Sequence, residues 1–567
     1  MSTRRPLSDT AIACAAYLLV SARFAYVCDD AYITFRYAKN LATGHGLVFN
    51  PGEFPPVEGY SDFLWLLAAA LLEAVHLRPD VFLPALSVGC GLVLVVRVMA
   101  VLRDHLDVGR TGTTFAGLAF AASPATGCWA TSGLETMPQA LLTFLLFEQL
   151  VIDGRSHGWK TPAALSVALG LIRAEGIGWV GAVYLASVVS HWHVPGERRA
   201  HVGRLLRSAL PMLVSFAVYT GWRYAYFGTL VPNTALVKVT FGVHALARGL
   251  RYVLLFWLSC LVPLVMLAPI PVVVRGERQG TWLAVSLLAC AFPAYAVLVS
   301  GDFMPFGRLL VPGLSFGALL LGGGLQEVVR RDRGRTATAR AVGLTLVGIG
   351  ALPALDLHLV PQVVRKQLHF RLSDKEYLSE LNRWQNQREN TDGFTQRGLS
   401  LAQVARPNDG VVAAAVGAVG YFSGITVYDQ HGLVTKEVAY RELEPGPLVE
   451  SPGHDKHVEP EYFVKYEPRF LYARAVDGKL AAGRMKDALD QWQVPSSVKD
   501  RYVPDWYEVS IAGKDRSFLF VVRRRERGED PAQLWNEFPE RRKALNTELR
   551  IELGGGDEAE SDEPSSG

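Results

Sequence analysis

The sequence predicts a polytopic α-helical membrane protein that ends in a soluble α/β domain. Three observations predict it. Apolar runs near membrane-spanning length follow one another as far as about Leu357. Beyond that point the composition is that of an ordinary soluble protein. The arginine-rich loops between the runs fall on one common side. Half of the 567 residues are apolar, and the mean hydropathy of +0.18 averages two unlike parts. The net charge of +3 is no signature of nucleic-acid binding.

A span needs about 20 apolar residues. About eleven runs approach this, near residues 9–27, 81–102, 113–128, 134–152, 161–172, 175–191, 207–226, 250–274, 281–300, 308–328 and 341–357. The first follows Arg4 and Arg5 and lacks a clear small-residue cleavage site, so it reads as an uncleaved span. The apolar segment Ser61–Leu77 reads as a juxtamembrane surface helix. With that assignment the basic loops (Arg103 and Arg110; Arg155 and Lys160; Arg198 to Arg207; Arg275 and Arg278; Arg330 to Arg340) all lie inside. The N-terminus is then inside and the C-terminal domain outside.

The expected division is a membrane domain over 1–357, with a first outer loop at 28–80, then a soluble domain over 358–553. An acidic tail over 554–567 is expected to be disordered. Within the soluble part, Asp374–Ala402 has helical spacing, and Ile425–Tyr428 and Phe518–Val522 read as strands. The six cysteines show no CxxC spacing, so neither a zinc site nor a redox pair is suggested, and the soluble part has none, which excludes a disulfide-stapled module there.

The polar, motif-like segments share the outer face. First comes Cys28–Trp65, with adjacent carboxylates Asp29 and Asp30 followed by Tyr32, Arg36, Lys39, Glu58 and Asp62. Adjacent carboxylates can bind a divalent cation, deprotonate a hydroxyl or steady a developing cation. Rings and cations beside them suit a sugar phosphate. Next are Phe227–Lys238, where Pro232 and Asn233 favour a turn, and Gly301–Arg308, which sets Asp302 beside Arg308. Arg308 can fork onto a phosphate or pair with Asp302. Arg173-Ala-Glu175 reads as a structural ion pair or as part of the pocket floor, the first being preferred. Tyr428–Leu433 and Gly453–Lys456 combine acids, His431, His454, Lys456 and glycine turns, and could hold an acceptor. No nucleophile elbow or HExxH site is present. Chemistry confined to one face argues against a flippase, which needs polar groups inside its spans.

Together these segments resemble the GT-C fold membrane glycosyltransferases, and among them the mycobacterial terminal arabinofuranosyltransferases of cell-wall arabinan synthesis. The likeness rests on Asp29-Asp30, Gly44–Glu58, Ala130–Glu135, Tyr226–Lys238, Gly301–Met304 with Arg308, Val427–Leu433 and Gly453–Lys456, in that order. The resemblance implies a multi-pass protein of the bacterial inner membrane with a polyprenyl-phosphate pentose donor. It also implies a glycan acceptor, no nucleic acid, and catalysis on the outer face by Asp29 or Asp30. Arg36, Lys238 and Arg308 are the expected phosphate ligands. Tyr32, Glu58, Asn233, Asp302, His431, His454 and Lys456 are the expected pocket residues. The same fold with another polyprenyl-phosphate sugar, in lipopolysaccharide or glycoprotein glycosylation, is the alternative, and a lipid-linked sugar flippase or a glycan-binding membrane protein is the non-enzymatic one.

Overall fold

The computed structural model describes residues 5–153, 158–191, 198–238, 242–275, 278–331, 336–368, 378–442, 452–478, 492, 494–514 and 516–552. It has two compact units. One is Met1–Glu389 with His431–Lys456, and the other is Asn390–Gln430 with His457–Gly567. The tail over 554–567 lies outside the described residues.

The first unit is helical. Among the described residues five helices are long and apolar enough to cross a bilayer: Pro79–His105, His201–Phe227, Gln279–Leu298, Pro305–Arg330 and Thr336–Leu355. Val243–Cys260 and Val262–Val273 make a sixth only as a broken span, bent by 99°. The break is at Leu261, held at φ +52° between the two pieces. Thus the expected eleven runs do not become eleven full-length helices. Thr136–Ile152, Lys160–Ile172 and Gly176–His191 are apolar but short. The run at 113–128 is two helices, Arg110–Ala121 and Pro124–Thr131. Pro124 has no N–H for the ladder and begins a new helix at Ser123, where it is pre-set for the first turn.

The first outer segment is folded tightly. Helix Asp29–Ala42 starts with two acids, which suit the positive end of its dipole. Asn40 Nδ2 donates to the carbonyls of Val48 and Phe49 at 2.8 and 2.9 Å. Tyr37 donates to the Val57 carbonyl at 2.7 Å and accepts from the Gly59 N–H at 2.8 Å. The Ser61–Leu77 segment contains helix Phe63–Ala74, with 12 residues. At about 1.5 Å per residue it is roughly 18 Å long, short of a hydrocarbon core of about 30 Å. Its Trp65 donates to the Gly133 carbonyl at 2.8 Å. Gly133 sits at φ +81°, and an added Cβ there would come within 2.8 Å of Ala31 Cβ.

The second unit is α/β. Strands β1 (Gly410–Ala413), β2 (Thr426–Asp429), β3 (Phe470–Asp477), β4 (Tyr502–Val509) and β5 (Ser517–Arg524) form a sheet of order β2-β1-β3-β5-β4. The β1–β2 and β1–β3 pairs are parallel, and β3–β5 and β4–β5 antiparallel. Helix Gly417–Ser423 carries the crossover from β1 to β2. Val476, Phe518 and Phe520 form a core with Phe538, Leu545 and Leu549 of the C-terminal helix Pro531–Glu552.

The division between units differs from the expected one at 357/358. Residues 380–384 pack within the helical unit. Glu380 accepts from the Phe306 N–H, Arg383 donates to the Phe303 carbonyl, and Trp384 is buried against Phe24 and Tyr26. His431–Lys456 belongs to that unit too, since Asn233 Nδ2 donates to the Gly432 carbonyl at 2.7 Å.

Candidate functional site

A cavity of about 140 Å³ opens in the helical unit, where the motif-bearing segments meet. Its lining contains five carboxylic acids (Asp30, Asp62, Glu135, Glu175 and Asp302) and three cations (Arg173, Lys238 and Arg308). Tyr60 and Tyr295 supply rings. So many ionisable groups in one enclosed place are costly unless they bind or react.

Each group is placed by local structure. Asp30 lies in the first turn of helix Asp29–Ala42. Lys238 ends the short helix Asn233–Lys238 and meets Asp30 Oδ2 at 2.9 Å. That short helix is fixed by Asn233, whose backbone N–H donates to the Glu58 carbonyl at 2.9 Å. Glu58 in turn takes Arg223 at 2.9 Å and the Tyr219 hydroxyl at 3.2 Å. Asp302 and Arg308 pair at 2.7 Å, and the guanidinium carbon lies 5.8 Å from the Trp129 ring centroid. Arg308 Nε is buried without a hydrogen-bond partner among the described residues. Arg173 bridges Glu135 and Glu175.

The acids do not share one electrostatic environment. Burial pushes the Asp30 carboxyl up, but the charges of Lys238 and Arg308 outweigh it and hold Asp30 below the usual range. Asp62 goes the other way: burial, reinforced by the charge of Glu135, raises it, and the Thr34 hydroxyl and Arg173 only partly oppose this. Burial also raises Glu58 to about 7, although Arg223 stabilises its anion.

Of the residues singled out in the sequence, Asp30, Lys238, Asp302 and Arg308 line this cavity. Asp29, its neighbour, is outside the lining. Arg36 is not brought there. It is buried, donates to the Phe49 carbonyl at 3.1 Å, and is lowered to about 10 by desolvation. Tyr32 packs edge-on against Phe35. Glu58 and Asn233 buttress the cavity from behind rather than line it. His431 and His454 meet edge to face at 4.7 Å between ring centroids, with Phe303 at 4.8 Å from His454. Lys456 donates to the Ala439 carbonyl. This histidine segment reaches the cavity through Leu433 and Pro452, and the charge of His454 is felt at Asp30. Among the described residues no three histidine, cysteine or acidic side chains converge as metal ligands.

Three cavity features were not selected from the sequence as site residues: Asp62, Glu135 and the Arg173–Glu175 pair. Asp62 and Glu135 were visible inside the quoted motifs, but nothing in their spacing tells that one lacks a cation.

The apolar helices of the first unit are those of a multi-pass helical membrane protein, and solved structures share the fold. Over 92% of its length the chain aligns with 98% of a crystal structure of ArnT from Cupriavidus metallidurans bound to undecaprenyl phosphate, with a TM-score of 0.55 at 13% identity. In sequence it is similar to the terminal beta-(1->2)-arabinofuranosyltransferase of Corynebacterium glutamicum, at 27% identity over 334 residues, 51% of this chain and 46% of that protein. The protein of the same name from Mycobacterium tuberculosis matches at 27% over 275 residues, 45% of this chain and 42% of that one. The chain therefore spans a little under half the length of the curated relatives it matches. Residues 379–519 match a family model described as a domain of unknown function, DUF8728.

Proposed function

We propose that this chain is a glycosyltransferase that moves a sugar from a polyprenyl-monophosphate donor to a cell-envelope glycan on the outer membrane face. Arabinofuranose is the sugar the named relatives favour, and the undecaprenyl phosphate held by the ArnT structure supports the donor class. The observation that carries the reading is the grouping of Asp30 with Lys238 and Arg308 in one cavity, one of these cations keeping a buried N–H unused. Lys238 and Arg308 neutralise the departing lipid phosphate, where negative charge develops. The carboxylate of Asp30 faces the oxocarbenium character left on the sugar. The basic loops then lie inside and the cavity outside.

The test uses purified protein, synthetic polyprenyl-phosphate arabinofuranose and an arabinan oligomer. Arg308→Lys keeps the charge but loses the fork, and is expected to cut kcat/KM by about 10-fold to 10²-fold. Lys238→Met is expected to cost about 10²-fold or more. Transfer from a different polyprenyl sugar only would replace the arabinose assignment. No transfer from any polyprenyl-phosphate sugar would overturn the enzyme itself.

A further inference from the structure

The cavity contains an acid with no place in the reaction as just drawn. Asp62 stands one residue before helix Phe63–Ala74 and lines the cavity with Thr34 and Glu135. It is buried, with 4% of its surface exposed. Each of the other four cavity acids has a cation at ion-pair distance: Lys238 on Asp30, Arg308 on Asp302, and Arg173 on Glu135 and Glu175. Among the described residues Asp62 meets a hydroxyl and its own backbone N–H instead of a cation. Thr34 Oγ1 lies 3.0 and 2.9 Å from its two oxygens. One hydroxyl and one local N–H leave part of a carboxylate's acceptor capacity of about four lone-pair sites unused. Glu135, itself 2% exposed, keeps its Oε2 buried and without a hydrogen-bond partner among the described residues. Unused acceptors this deep are left for a ligand hydroxyl to satisfy.

We propose that Asp62 takes the proton of the incoming acceptor hydroxyl, while Asp30 remains the anion beside the sugar. This rests on the glycosyltransferase reading and deepens it. The acceptor oxygen forms the new bond to the anomeric carbon. The bond from that carbon to the phosphate oxygen breaks, and its electron pair leaves with the polyprenyl phosphate. The hydroxyl proton passes to Asp62, which later returns it to water.

The two acids are driven apart by their surroundings. Burial and the charge of Glu135 lift Asp62, against Thr34 and Arg173, while Lys238 and Arg308 depress Asp30. A base serves best when its pKa lies near the working pH, and acids pushed in opposite directions divide the roles. Glu175 and Asp302, with Arg308 and Lys238, are the other charges lining the cavity.

The experiment measures kcat against pH on the full chain with synthetic polyprenyl-phosphate arabinofuranose and an arabinan oligomer. The wild type should lose activity on acidification at a pH above the usual carboxylate range. Asp62→Asn should lower kcat by about 10²-fold to 10⁴-fold and abolish that limb, with donor KM little changed. Glu135→Gln should move the limb to lower pH and Thr34→Val to higher pH. The infrared absorption of protonated carboxyls, seen without turnover, should lose one component in Asp62→Asn, while that of Glu58, also raised by burial, remains. Should that variant fail to fold, the opposite shifts of the other two still decide the matter. A limb that neither substitution moves, or an Asp62→Asn enzyme with wild-type kcat, would overturn the Asp62 assignment and leave the reaction standing. Absence of transfer by the wild type from every polyprenyl-phosphate sugar would overturn both.

Discussion

Asp30→Asn is expected to reduce sugar transfer by about 10³-fold, while Asp29→Asn costs at least an order of magnitude less. Both acids open the same helix, but Asp30 alone lines the cavity and meets Lys238 at 2.9 Å. The amide keeps the shape of the carboxylate and removes its charge. Two things are lost together: the anion facing a developing cation, and the partner of an ammonium that is then left with uncompensated charge. Donor binding should weaken less than kcat, because a neutral sugar gains little from the anion before the bond to phosphate stretches. The pH dependence has a definite sign. A carboxylate held below its unfolded value contributes its charge at all pH above that value, about 3.9 for Asp. Activity lost on mild acidification therefore does not come from Asp30. Equal losses in the two Asn variants, at unchanged thermal stability, would move the reacting carboxylate off Asp30.

Much of this architecture could be read from the chain because it is written in local patterns. Apolar runs mark the helices, although the single run expected at 113–128 is broken before Pro124, and the unbroken apolar, ring-rich run Phe518–Val522 gives the strand that is seen within Ser517–Arg524. The motifs could also be gathered, since Asp30, Lys238, Asp302 and Arg308 do meet. What the sequence withholds is pairing. Arg36 and Lys238 look alike as cations near the acids, yet one is spent on a backbone carbonyl and the other on Asp30. Asp62 looked like one more loop acid, and its distinction is that Thr34, not a cation, reaches it. Pairing over such separations depends on tertiary packing, which propensity and spacing do not encode. The same holds for His431–Lys456. By composition it belongs to the soluble part, but specific contacts place it with the helices.

One of those contacts gives the second large effect, this time on stability. Arg248 on helix Val243–Cys260 grips Asp455 in a two-pronged pair, Nη1 to Oδ1 at 2.7 Å and Nη2 to Oδ2 at 2.9 Å, with both side chains only 3% exposed. Its Nε donates to Ser300 Oγ at 2.8 Å, just before the cavity's Gly301-Asp302. One guanidinium therefore ties the histidine segment and the cavity wall to the same helix. Asp455→Ala strands a buried cation and should cost about 3–5 kcal/mol, whereas replacing both partners by apolar groups of similar size should cost far less. The expected result in detergent is a clear fall in Tm for Asp455→Ala and Arg248→Met, with most of it recovered in the Arg248→Met/Asp455→Leu double variant. Activity should separate from stability in that variant. Without the fork, nothing anchors Ser300 to Asp455, so KM for the donor should stay high even where Tm has returned. A double variant as unstable as the singles would mean that the pair contributes through packing rather than charge, and recovery of KM along with Tm would remove Arg248 from any part in shaping the cavity.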